Sequence, residues 1–237
     1  GAGTAAAGSC EEVPEETAGP YPADGSNGIG SGGPPGSGGS TNANTINALI
    51  LSGIVRSDIR SSFGSSTTRA EGVSLAIKLR IVRADDNCVP LADAAVYLWH
   101  CDRSGNYSLY SDAITSENYL RGVQITDADG YVTFESIFPA CYSGRWPHIH
   151  FEVYPDMDSA TIASNAIKTS QIALPKAACD TVYASDGYAT SITNLNQVSL
   201  DNDNVFDDGY DLQLGTVTGS VESGYEVSLT AGVAASG

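Results

Sequence analysis

From Asn47 onward the chain runs in short β-rich segments separated by turn residues. SLAIKLRIV (74–82) and GYEVSLTAGV (224–233) alternate apolar and polar side chains. A period of two puts one face of a strand on a core and the other toward water. Strands rich in Val, Ile, Thr, Tyr and Leu are predicted near 48–55, 73–83, 94–101, 122–126, 131–137, 148–154, 168–173, 210–219 and 225–232. No long amphipathic helix is visible, and at most a short helix is expected within 157–167 or 174–183. Many short strands without long helices predict an all-β chain, an antiparallel or mixed β-sandwich with long loops. Residues 1–24 are polar and Pro-containing, and 25–46 are dominated by Gly and Ser, a composition that cannot pack a core. The expected organisation is an extended polar segment over 1–46 followed by one sandwich domain over 47–237.

Composition narrows the function classes. With 11 Lys and Arg against 28 Asp and Glu, the 237 residues carry a formal charge of −17. That argues against nucleic acid or anionic membrane surfaces, which need clustered cations. No apolar run approaches the roughly 20 residues of a membrane span. The opening GAGTAAAGSC, without Met, reads as a trimmed start and fits a secreted or cell-envelope setting. Of the cysteines Cys10, Cys88, Cys101, Cys141 and Cys179, none forms a CxxC pair, so a thiolate zinc site is not indicated. In an exported protein two disulfides and one leftover thiol are expected, or a lipid on Cys10.

Two of the three histidines fall in HIHFEVY at 148–154. On a strand, His148, His150, Glu152 and Tyr154 share one face, and Ile149, Phe151 and Val153 share the other. An i, i+2 histidine pair either supplies two metal ligands or forms an ordinary polar face. Tyr142 lies six residues before His148, and Tyr107 and Tyr110 lie farther upstream. Phenolate oxygens favour Fe(III), and a trivalent cation can overcome a phenol pKa near 10. Two acidic stretches have plainer readings. TDADGYVTF (126–134) is expected to be a hairpin rather than a calcium loop, and DNDNVFDDG (201–209) a solvated acidic loop. His100 is expected to be structural, Tyr110, Tyr119 and Trp146 to pack or wall a pocket, and Asp102 and Arg103 to form a turn.

The runs PLADAAVYLWHCDRSGNYSLY, TDADGYVTF and YSGRWPHIHF, with EETAGPYPADGSN and SGIVRSDIR, resemble the intradiol ring-cleavage dioxygenases of the catechol and protocatechuate class. The resemblance covers roughly residues 12 to 175 and matches an ordered Tyr, Tyr, Arg, HxH set. It implies Fe(III) held by Tyr107, Tyr142, His148 and His150, with Arg145 stabilising charge that develops on the substrate. It also implies that Tyr142 is the axial tyrosinate that departs with a substrate proton, that Gln171 lies near the oxygen-binding pocket, and that Gly19 and Pro20 approach the substrate. The implied reaction joins O2 to a catechol-type aromatic and breaks the bond between its hydroxyl-bearing carbons, giving a muconate-type product. The Gly/Ser tract, the missing N-terminal helical region and the acidic C-terminal third depart from the better-known members and leave substrate and oligomeric state open. The alternative is a transthyretin-like or carboxypeptidase-regulatory-like binding module, which shares the strand–turn–strand pattern. Such a module gives no reason for Tyr142, Arg145, His148 and His150 to occur together. A zinc or copper protein using the same histidines is a further alternative, less favoured by two phenolic partners.

Overall fold

The two alternating segments of the sequence lie side by side. In the computed structural model, which describes residues 11–28 and 45–234, β3 (Ser74–Arg83) pairs in parallel with the final strand, β11 (Gly224–Val233). Between them in sequence come β4 (Val89–Pro90), β5 (Ala95–Trp99), β6 (Arg121–Ile125), β7 (Tyr131–Ile137), β8 (His148–Tyr154), β9 (Lys168–Ala173) and β10 (Thr216–Ser220). One sheet runs β10-β11-β3, with β4 and β7 both pairing with β3, and the other runs β6-β5-β8-β9, wholly antiparallel. The predicted mixed β-sandwich is the observed fold.

Alternation builds the core. Leu75, Ile77, Leu79 and Ile81 from β3 meet Val96, Leu98, Ile149, Phe151 and Val153 from β5 and β8 in one buried cluster between the sheets. The opposite face of the second sheet carries Tyr97, Trp99, His148, His150, Glu152 and Tyr154 and is equally buried, so β8 has no solvent face. Its cover is a strap over residues 11–28, which ends in β1 (Asp24–Gly28) paired with β2 (Thr45–Asn47). Arg121, 1 % exposed, holds the strap down: its guanidinium donates to the carbonyls of Tyr21 and Pro22, to Tyr97 Oη and to Ser108.

Some expectations change. The apolar run 48–55 forms successive turns, because Ala48, Leu49 and Ile54 are buried while Ile50, Leu51 and Val55 are exposed, a pattern without period two. The strand expected over 210–219 starts only at Thr216, since Gln213 and Leu214 both donate to Tyr210 O in a turn. The helix α1 (Lys176–Tyr183) falls where one was expected, whereas α2 (Ala189–Leu195) lacks a sequence signal. Cys101, Cys141 and Cys179 are buried free thiols and Cys88 is disulfide-bonded, so two disulfides do not form. Burial pushes the three thiols upward, Cys141 to about 12. Asp127 Oδ1 accepts from the backbone N–H groups of Asp129 and Tyr131, so TDADG is a tight turn, but not the expected hairpin, because β6 pairs with β5 in one sheet and β7 with β3 in the other. Cys10 and the tract at 29–44, with the expectations attached to them, lie outside the described residues.

Candidate metal centre

Each donor is delivered by a different device. His148 and His150 share a face because β8 is a regular strand, and His150 lies between Trp99 on β5 and Gln171 on β9 in register. The Trp99 indole stacks on the His150 ring at 4.8 Å and 4°. From the strap, Gly19 crosses the same imidazole with φ +70°, and a Cβ there would stand 3.4 Å from His150 Cε1. A side chain is disfavoured at that φ, so glycine suits this crossing. Tyr107 sits in the loop after β5, where its carbonyl accepts from the N–H groups of Tyr110 and Ser111. Tyr142 follows β7 in a loop that α2 fastens: Ser191 Oγ accepts from Cys141 N, and Asn194 Nδ2 donates to Cys141 O.

The four donor atoms converge. Tyr107 Oη lies 3.4 Å from Tyr142 Oη and 3.5 Å from His148 Nε2. His148 Nε2 lies 3.2 Å from Tyr142 Oη and 3.1 Å from His150 Nε2. Donors about 2.0–2.2 Å from one ion stand roughly 2.9–3.5 Å apart, so the set fits a single metal. Trp146 O lies 2.5 Å from His148 Nδ1 and can only accept, so Nδ1 carries the proton and Nε2 points its lone pair at the cluster. Among the described residues no three His, Cys, Asp or Glu side chains group to hold a metal. The phenols are therefore indispensable to the set.

The electrostatics of the four donors suit a cation. Burial, then the neighbouring Arg145 charge, holds His148 well below the usual imidazole range, and burial followed by His148 does the same to His150. Burial and then Tyr142 raise Tyr107 well above an ordinary phenol, and burial pushes Tyr142 up to about 12 despite Arg145. A multivalent ion at the centre would reverse the phenol ionisation, because its charge becomes the largest in the site.

Arg145 closes one side. Its Nη1 lies 3.4 Å from His148 Nε2, its Nη2 donates to Gln171 Oε1 at 2.6 Å, and its Nε donates to Asp203 Oδ2 at 2.9 Å. Gln171, fully buried, also donates Nε2 to Thr17 O on the strap. The structure thus brings together Tyr107, Tyr142, Arg145, His148, His150, Gln171 and Gly19. His100 stays apart, bonded to Cys101 O and Ser136 Oγ, and Trp146 packs in the core with its indole on Leu174 O. Tyr110 joins the strap, its Oη accepting from Ala23 N and donating to Asn27 Oδ1.

Asp203 corrects the reading of 201–209 as simply solvated. It is fully buried, and its carboxylate accepts from Arg145 Nε and from the N–H groups of Trp146, Val205 and Phe206. Its neighbours Asp201, Asn202 and Asn204 are exposed, so composition hid the one inward member. Asp203 and Val205 with Phe206, a lone apolar pair inside an acidic run, was the available signal.

Comparisons agree with this geometry. A family model described as Dioxygenase matches residues 60–153, which contain all four donors and Arg145. Catechol 1,2-dioxygenase 2 of Acinetobacter lwoffii is 36% identical over 72 residues, 30% of this chain and 25% of the relative. Chlorocatechol 1,2-dioxygenase of Rhodococcus opacus is 36% identical over 58 residues, 24% of this chain and 23% of the relative. The match thus spans about a quarter of these curated relatives. An intradiol ring-cleavage dioxygenase structure from Tetranychus urticae superposes with a TM-score of 0.69 over 94% of this chain and 95% of that one, at 23% identity, a likeness of fold. The matched segment and the two partial relatives make the chain similar to catechol-type dioxygenases, and its fold is like that of an intradiol ring-cleavage dioxygenase.

Proposed function

We propose that the protein is a non-haem Fe(III) dioxygenase. Its reaction opens a catechol-type ring between the two hydroxyl-bearing carbons with O2 and gives a muconate-type product. One observation carries this reading: two phenol oxygens and two imidazole nitrogens converge at 3.1–3.5 Å beside a guanidinium. Ferric iron, when bound, supplies Lewis acidity and a template for the two catechol oxygens.

The chain's own residues divide the remaining work. Tyr107 is buried and Tyr142 keeps some exposure, so Tyr142 Oη is the phenol oxygen placed to take a proton from the entering catechol. Arg145 presents a fixed positive charge where negative charge gathers on the ring, and Asp203 and Gln171 keep it there without reorganisation. Trp99 and the Gly19 crossing pack against His150 and exclude water around it.

The test is ferric reconstitution followed by oxygen uptake with catechol, protocatechuate and hydroxyquinol. A tyrosinate-to-iron absorption band, its shift on adding catechol without oxygen, and a ring-opened diacid are expected. Protein that stays colourless and takes up no oxygen after ferric loading overturns the proposal. An exported setting is proposed alongside, supported by the disulfide at Cys88.

A further inference from the structure

All eleven Lys and Arg of the sequence lie among the described residues, so each can be followed to its partner. Arg145 is the one that bonds into the donor cluster, and its other nitrogens are engaged by Asp203 and Gln171. Arg121, buried behind the strap, is spent on the carbonyls of Tyr21, Pro22 and Ser108, and Arg56 is likewise spent on backbone carbonyls. Arg103 pairs with Glu71, and Lys168 with Glu12 and Glu15. The rest lie elsewhere: in exposed pairs with Asp58 or Asp180, over Tyr131 on β7 of the first sheet, or at the far end of β3.

The surroundings of Arg145 are acidic instead. The loop whose Asp203 holds it also carries Asp201, Asp207, Asp208 and Asp211, all exposed. Glu16, on the strap, accepts from Gln213 Nε2 at 3.1 Å, and Gln213 in turn reaches Ser170, the residue before Gln171. Burial, followed by the field of Asp208, pushes the Glu16 carboxyl up to about 6.

We infer, resting on the proposed ring cleavage, that the site selects catechols by charge, taking uncharged or cationic rings and rejecting those that bear a carboxylate. A ring carboxylate entering beside the donor cluster loses water, finds no uncommitted cation and faces an acidic loop. An ester at the same ring position withdraws electrons similarly but carries no charge, so it escapes that penalty.

The iron-loaded protein distinguishes the two. Dissociation constants for protocatechuate and for its methyl ester are measured by calorimetry without oxygen, and kcat/KM for both is measured in air. The ester should exceed the acid by about 30-fold or more in both. Replacing Asp207 and Asp208 together by Asn, outside the donor cluster, should narrow that gap several-fold. Equal or tighter binding of the acid overturns charge selection, as does the absence of binding by either ligand. Preferential binding of the ester without turnover of any catechol upholds charge selection and refutes the ring-cleavage reading instead.

Discussion

Replacing Asp203 by Asn is nearly isosteric yet should be severe. Oδ2 accepts from Arg145 Nε at 2.9 Å and Trp146 N at 2.6 Å, while Oδ1 accepts from Val205 N at 2.9 Å and Phe206 N at 3.3 Å. An amide has one acceptor oxygen, so whichever way it turns, its NH2 faces two donors. Arg145, with its side chain 14 % exposed, also loses its counter-charge. Removing one member of a buried pair costs about 3–5 kcal/mol. With a urea slope of roughly 2.5 kcal/mol/M, the unfolding midpoint should fall by roughly 1–2 M. The guanidinium would also lose its fixed aim at the donor cluster, so kcat should drop by about 10- to 100-fold. Urea unfolding followed by tryptophan fluorescence, with oxygen-uptake kinetics at a denaturant-free pH of about 7, checks both. A midpoint shift below about 0.3 M with unchanged kcat/KM would refute the assignment of Asp203 as the holder of Arg145.

Other perturbations probe separate parts of the site. Tyr107→Phe and His150→Ala should each lower bound iron or abolish the visible band, read by metal analysis and absorbance; full iron and an unaltered band count against the donor set. Arg121→Lys keeps the charge but loses the planar fork that binds two strap carbonyls, so amide exchange over 17–24 should speed by tenfold or more, about 1.4 kcal/mol, and unchanged exchange contradicts the clamp. Glu16 has a folded pKa of about 6 against 4.5 unfolded, with burial as the main cause. Its stabilising contribution is therefore complete below pH 4.5 and lost as pH rises through about 6. The group is only partly buried, so the change is at most about 1 kcal/mol; Glu16→Gln should flatten the stability curve across that window, and an identical curve argues against the shift.

Much of the site was legible because it rests on local periodicity. HIHFEVY could be read as a strand with two imidazoles on one face, since period two follows from the backbone alone. What could not be read depends on distance along the chain. Asp203 looked like one more solvated acid because its partner Arg145 lies 58 residues away. The role of α2 was hidden for the same reason, as ATSITNL has no apolar period and is fixed by Ser191 and Asn194 binding the Tyr142 loop. The run ALILSGIV was apolar enough for a strand, but its buried residues face the strap side of the second sheet through turns. That second burial layer has no periodic signature of its own.

The pairing of the first and last described segments sets an order of events. Val13 N donates to Gly232 O, and Glu11 O passes so close to Gly232 that a Cβ there would stand 2.4 Å away. Residues that cover His150 are thus anchored to a strand near the end of the sequence, which itself needs β3, about 150 residues earlier, as its neighbour. The contact with Gly232 can form only once that residue has left the ribosome, whereas the bonds of the strap to Arg121, Thr169, Ser170 and Gln171 need nothing beyond β9.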